Sequence, residues 1–330
     1  VPSNTTLANS FKAVTYTGNG NANRTITGVG FNADLIWIKA RSTSEQHYIY
    51  DKTRGPFNYL HPNLTSAEAT DTSTRLKEFN DDGFKIGNEL AVNQSGETFV
   101  AWCWKAGNTW QSNINGTTES IVNANTANGF SIVKWVGTAN SQTTVGHGLN
   151  STPELIISKN LDTAASDGWP VYSSAIGNDH TLFLNSTSAK SSTGGTWGST
   201  SPTSTVFTVQ DNASNNQSGN EIIAYCFHSV SGYSKIGSYT GNGSTQSITG
   251  LGFQPDWIII KNADSARGWQ MFDSVRGVNK LIFANDSSAE SSESAGTSLS
   301  SFDSDGFTVG SGNGVNESGD TLIYMAFKMN

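Results

Sequence analysis

The strongest constraint on this chain is that it repeats itself. "YTGNGNANRTITGVGFNADLIWIK" at 16–39 returns as "YTGNGSTQSITGLGFQPDWIIIK" at 239–261. "YDKTRG" (50–55) returns as "FDSVRG" (272–277), and "NLTSAE" (63–68) as "NDSSAE" (285–290). "FNDDGFKIG" (79–87) returns as "FDSDGFTVG" (302–310), and "SGETFVAWCWK" (95–105) as "SGDTLIYMAFK" (318–328). A degenerate copy lies between them, with "KWVG" (134–137), "PELIISK" (153–159), "NSTSAK" (185–190), "VFTV" (206–209) and "SGNEIIAYCFH" (218–228) in the same order. Such ordered self-similarity divides the chain into three tandem units of about 95 residues. Their expected bounds are 1–106, 128–230 and 231–330, with 107–127 as a linker or insert.

Each unit is a series of short β-branched and aromatic runs separated by Gly, Asn and Asp, which predicts strands. In the first unit they fall near 11–17, 24–27, 34–39, 47–51, 57–60, 76–79, 84–87 and 97–105. Along 97–105, Phe99, Ala101 and Cys103 alternate with Val100, Trp102 and Trp104. Both sides are apolar, so this strand is expected to be buried on both faces. The fold class is all-β: three tandem β-sandwich or jelly-roll-like domains built from one repeat. Residues 106–127 have no counterpart between the second and third units and are expected to lack regular structure. The second and third units are then expected to pack more closely than the first and second.

A net charge of −8, with 14% charged residues, argues against nucleic acid or an anionic membrane as partner. No apolar run approaches the roughly 20 residues that span a bilayer, and no secretory signal is read at the start. Cys103 and Cys226 fall at matching places in two units, too far apart for a disulfide, and read as small core residues.

Several motifs suggest chemistry and lose it on comparison between copies. Glu78, Asn80, Asp82, Gly83 and Glu89 fit a calcium loop loosely. The spacing fails in the third copy and the carboxylates vanish from the second, so a hairpin turn on Asp-Gly is the better reading. Asp51/Arg54 and Asp273/Arg276 read as local ion pairs rather than a ligand site, since the second copy has Ser173 and Ile176. Glu68 and Glu290 are treated alike, because Lys190 holds the middle position. The five histidines share no position, and no shared motif pins two carboxylates together for glycoside hydrolysis. No cofactor or metal motif is found, and no catalytic residue is assigned. The Asn-x-Ser/Thr triplets at Asn63, Asn185 and Asn285 occupy one repeated place, which suits a structural turn better than glycosylation. Trp169 and Trp269 share their place with His47, whereas Trp110 and Trp197 match no repeated position. Those two, in polar loops, are the candidate ligand-binding residues: sugar-stacking platforms or subunit contacts, against simple loop packing.

The set "YTGNG…GFxPDWIIIK", "FDSVRG", "NxSSAE", "SFDSDGFTVG" and "SGDTLIYMAFK" resembles repeats of virion structural and tail-fibre-like proteins of bacteriophages, notably marine ones. The middle copy, with "SIVKWVG", "HGLNSTPELIISKN" and "NEIIAYCFH", is similar to the repeat that accompanies them. The resemblance runs from about Phe11 to Lys328. It implies an extracellular, non-enzymatic β-module on the virion surface, among other virion proteins, and supplies no catalytic residues. A homotrimer follows by analogy with phage fibres, and host-surface polysaccharide is the expected ligand. An architectural cement or coat component, and a glycan-processing enzyme or its carbohydrate-binding module, are the rival readings.

Overall fold

Alternating apolar runs become paired strands wherever both faces of a sheet find a core, and here they find two. The computed structural model describes residues 10–164, 168–192, 195–198, 200–294 and 296–329. The first unit contains β1 (Phe11–Thr17), β2 (Arg24–Thr27), β3 (Leu35–Ala40), β4 (Tyr48–Asp51), β5 (Asn58–Tyr59), β6 (Ala69–Thr70), β7 (Leu76–Asn80), β8 (Gly83–Ile86), the one-turn α1 (Leu90–Asn93) and β9 (Thr98–Trp104). The insert supplies β10 (Gln111–Asn113) and β11 (Ser120–Asn125). The second unit has β12 (Phe130–Val136), β13 (Thr143–Gly146), β14 (Leu155–Asn160), β15 (Pro170–Ser173), β16 (Leu182–Phe183), β17 (Val206–Val209) and β18 (Glu221–Phe227). The third has β19 (Ser234–Thr240), β20 (Gln246–Thr249), β21 (Trp257–Asn262), β22 (Gln270–Asp273), β23 (Lys280–Phe283), β24 (Ser291–Ser292), β25 (Leu299–Asp303), β26 (Gly306–Val309), α2 (Asn313–Asn316) and β27 (Thr321–Phe327). The fold is all-β.

Each unit pairs its first strand with its last and its second with its next to last. The inner sheets run β1-β9-β3-β4, β12-β18-β14-β15 and β19-β27-β21-β22; the outer sheets run β2-β8-β7, β13-β17 and β20-β26-β25. All named pairs are antiparallel, for example Trp102 opposite Ala13 on one side and Trp37 on the other. Each unit has its own core between inner and outer sheets. In the first it holds Ile36, Ile38, Phe84, Ala101 and Cys103; the others are equivalent. Val100, Trp102 and Trp104 point the other way, into a core shared by all three units. That second core is why the inner strands are apolar on both faces. Both cysteines are buried and unbridged, each in its own unit's core.

In the shared core the equivalent residues Trp104, Phe227 and Phe327 converge with Phe11 and Trp257, at centroid separations of 4.9–6.0 Å. Trp104, Phe227 and Trp257, with Leu35, Leu155 and Met325, line a wholly apolar cavity of about 30 Å³, room for little more than one water.

The units close into a ring, and the bonds that close it recur three times. Trp169 Nε1 donates to the His61 carbonyl and Trp269 Nε1 to the Phe183 carbonyl, each at 2.9 Å. His47 completes the cycle: its Nδ1 accepts from Trp37 Nε1, so its Nε2 carries the proton and donates to the Phe283 carbonyl at 3.0 Å. Three fully buried lysines follow the same order. Lys39 reaches the carbonyl of Ser287, Lys159 that of Thr65 and Lys261 that of Thr187. Burial pulls each ammonium down to about 8. Backbone bonds from Glu68 to Leu161, Lys190 to Ala263 and Glu290 to Arg41 complete the set. Donor and acceptor units permute cyclically, so the arrangement is pseudo-threefold. The join between the first and second units carries the same bonds as the others, contrary to the looser packing expected there.

Residues 107–127 also differ from the expected irregular linker. β11 adds to the open edge of β12, and β10 adds to β11. A free sheet edge is a row of unmet donors and acceptors, and the insert satisfies this one.

"FNDDGF" is a hairpin in both full copies, β7–β8 and β25–β26. Its glycine is obligatory: Gly83 has φ +141°, and a Cβ there would lie 2.0 Å from the Ile26 carbonyl oxygen. The carboxylate before it clamps the facing loop. Asp82 accepts from Gly28 N and Gly30 N, and Asp305 from Gly250 N and Gly252 N.

Candidate functional site

The insert is the part of the chain that no repeat explains, and it is held firmly. Thr117 and Thr144 exchange hydrogen bonds through their hydroxyls and backbone N–H groups, Thr118 bridges to Val145, and Ser120 Oγ donates to the Gly146 carbonyl. A Cβ on Gly146 would fall 1.9 Å from Asn113 Oδ1, so the hairpin lies directly on the second unit's backbone.

Besides a depression against Glu119, Lys134 and Glu221, two surface depressions flank it. One, of about 500 Å³, runs from Ser10 and Phe31 of the first unit past Lys105 and Asn108 to Asn125 and Asn128. The other, of about 320 Å³, lies between Thr109, Gln111, Ser112 and Asn113 and the Gly148–Leu149 turn. Ala124 and Thr126 line both. Trp110, with 36% of its surface exposed, stands in the chain between Thr109 and Gln111 of the second. No carboxylate lines either depression, and the single cation, Lys105, is held by Asp34 at 2.8 Å. What remains is a neutral set of hydroxyls and amides. Asn128 is 3% exposed and its amide nitrogen donates to Ser10 Oγ, so it braces the floor of the first depression. These hydroxyls and amides can hydrogen-bond an uncharged polar group.

Trp110 is exposed, as a binding role would need, and Trp197 is not. Trp197 is 2% exposed and packs edge-on against Tyr172 inside the second unit's core. Backbone bonds identify its true counterpart. Gln210 N donates to the Thr196 carbonyl as Gly87 N does to Arg75 and Gly310 N to Ser298, which makes Trp197 the equivalent of Leu76 and Leu299. Among the described residues the second unit shows two outer strands where the others show three, and the larger Trp197 side chain packs on its core. Length changes in this loop hid the match. Asn125 and Asn128 were missed for another reason: "NANTANGF" reads as a turn, and only the packing of the first unit beside it makes a depression.

The remaining candidates act in the scaffold. Asp51 and Arg54 pair at 2.6 Å with both side chains buried, and Asp273 and Arg276 at 2.5 Å. These pairs are more than local, because Tyr225 OH of the second unit donates to Asp51 at 2.7 Å and Trp102 Nε1 of the first to Asp273 at 2.9 Å. Burial, and then the neighbouring Asp51 carboxylate, push the Tyr225 hydroxyl well up, so it stays protonated as donor. Asn63, Asn185 and Asn285 accept through Oδ1 from the backbone N–H of His47, Trp169 and Trp269. Among the described residues no three His, Cys, Asp or Glu side chains gather to hold a metal, and no helix is long and apolar enough to cross a membrane.

A comparison with curated proteins found no match. The chain belongs to the family described as domain of unknown function (DUF7483), whose model matches residues 7–330, all three units and the insert together.

Proposed function

We propose that this chain is a non-enzymatic bacteriophage virion surface protein, a tail-fibre or appendage segment or a capsid decoration, that adheres to host-surface polysaccharide. The observation that carries the reading is Trp110, 36% exposed just before β10, whose chain neighbours Thr109 and Gln111 line a depression of neutral hydroxyls and amides. Sugars present apolar C–H faces and hydroxyl edges, which an indole and uncharged hydrogen-bonding groups match. The repeat resemblance supplies the virion, the extracellular location, other virion proteins as neighbours and a homotrimer by analogy. Binding of the purified chain to host cells and to isolated envelope polysaccharide tests it. Trp110→Ala should weaken saturable binding at least tenfold, about 1.4 kcal/mol, with unchanged thermal stability. Binding of undiminished strength in that variant removes the assigned site.

The ring closure favours one rival. Three units locked through a shared core and buried lysines suit an architectural cement or coat component. On that reading, particles lacking the chain lose mechanical robustness yet adsorb normally.

A further inference from the structure

The first and third units carry the same carboxylate, Asp34 and Asp256, at the entry to β3 and β21, in different company. Asp34 is buried beneath two ammonium groups, Lys52 Nζ at 3.1 Å and Lys105 Nζ at 2.8 Å. Lys52 also stands over the Phe79 ring, 5.9 Å from its centroid. Asp256 is half-buried and receives only the Ser274 hydroxyl at 2.9 Å and the Met329 N–H at 2.8 Å. Among the described residues no cation lies in salt-bridge range of it.

The repeat alignment shows what has been removed. Lys52, Lys77 and Glu78 of the first unit stand where the third has Ser274, Ser300 and Ser301, while Phe79 is kept as Phe302. Of these only Lys52 holds Asp34 in the first unit, Lys77 and Glu78 bonding Ala22, Asn23 and Lys85, while Lys105 is kept as Lys328. The third unit has a depression of about 520 Å³ lined by Gln254, Asp256, Ser274, Ser300, Ser301 and Phe302, with Asp256 its single charge.

We propose that this depression takes a lysine side chain of a partner protein, its ammonium seated in trans where Lys52 sits in cis in the first unit. A carboxylate and an aromatic face together select a cation. The depression has room for the four-carbon stem along Phe302 while the head reaches Asp256. The chain's net charge of −8 draws basic surfaces toward it. The site is separate from Trp110, so failure of glycan adhesion would leave it standing.

Titration of the isotope-labelled full chain with Nα-acetyl-lysine methylamide tests this by amide chemical shifts. Saturable shifts are expected around 254–256, 274–278 and 300–302, and none with the Nε-acetylated analogue. Ser274→Lys restores the first unit's arrangement, so it should fold and abolish the shifts. Phe302→Leu should weaken them by about threefold. Absence of saturable shifts, or shifts that persist undiminished in Ser274→Lys, overturns the proposal. Equal response to glucosamine overturns the protein partner in favour of an amino sugar.

Discussion

Two of the ring's three junctions are polar at their centre and the third is apolar. Where the last strand of the first unit meets the third, Trp102 donates to Asp273, which also holds Arg276. Where the second unit meets the first, Tyr225 donates to Asp51, which holds Arg54. Where the third meets the second, the equivalent residues are Met325, Ser173 and Ile176. Met325 has no proton to donate, so a buried aspartate opposite it would keep an unmet lone pair, and a buried arginine needs that aspartate. Donor, acceptor and counter-charge are therefore present or absent together. The second copy's departure at Ser173 and Ile176 is a match to the third copy's methionine.

Breaking a polar junction should have the largest effect. Asp273→Leu takes from the Arg276 guanidinium its buried carboxylate, leaving it Glu290 as counter-charge and the Met271 carbonyl, each at 3.1 Å. Loss of about 3–5 kcal/mol is expected in chemical denaturation, and a loss under 1 kcal/mol would show that the junction is not held this way. Trp102→Phe, which removes one donor and spares the ion pair, should cost about 1–3 kcal/mol.

Acid separates the junctions differently. His47 stands where the other two have tryptophan, and burial, followed by the nearby Lys39 charge, holds its imidazole well below the ordinary range. The folded state then binds fewer protons than the unfolded, so stability is full above about pH 6.5 and falls as pH drops toward the folded value. The slope is at most about 1.4 kcal/mol per pH unit for one such group. His61, lowered chiefly by burial, adds in the same direction, as does His147, which burial lowers to about 4. His47→Trp should flatten part of this slope, and an unchanged pH profile would remove His47 from the account. Met325→Leu, at the apolar junction, should be the mildest change, below about 1.5 kcal/mol.

Strands were legible because their signals are local. The alternation along 97–105 assigned Ala101 and Cys103 to one core and Val100, Trp102 and Trp104 to another before either core was known. The Asp-Gly hairpins followed from a turn that only glycine accepts. Of the candidate site, Trp110 was legible as an aromatic residue in a polar stretch outside the repeat. Trp197 gave the same signal and is core, packed on Tyr172 at the place of Leu76 and Leu299.

By itself, then, the sequence determined the repeat, the all-β class, most strand positions and the double burial of the inner strands. Periodicity within a few residues is enough to set which way each side chain faces. Only the tertiary structure decided that the units close into a ring, that the insert becomes a sheet edge, and that His47, Trp169 and Trp269 do one task. Those contacts join side chains to backbone carbonyls of another unit, and a carbonyl leaves no mark on the residue that carries it.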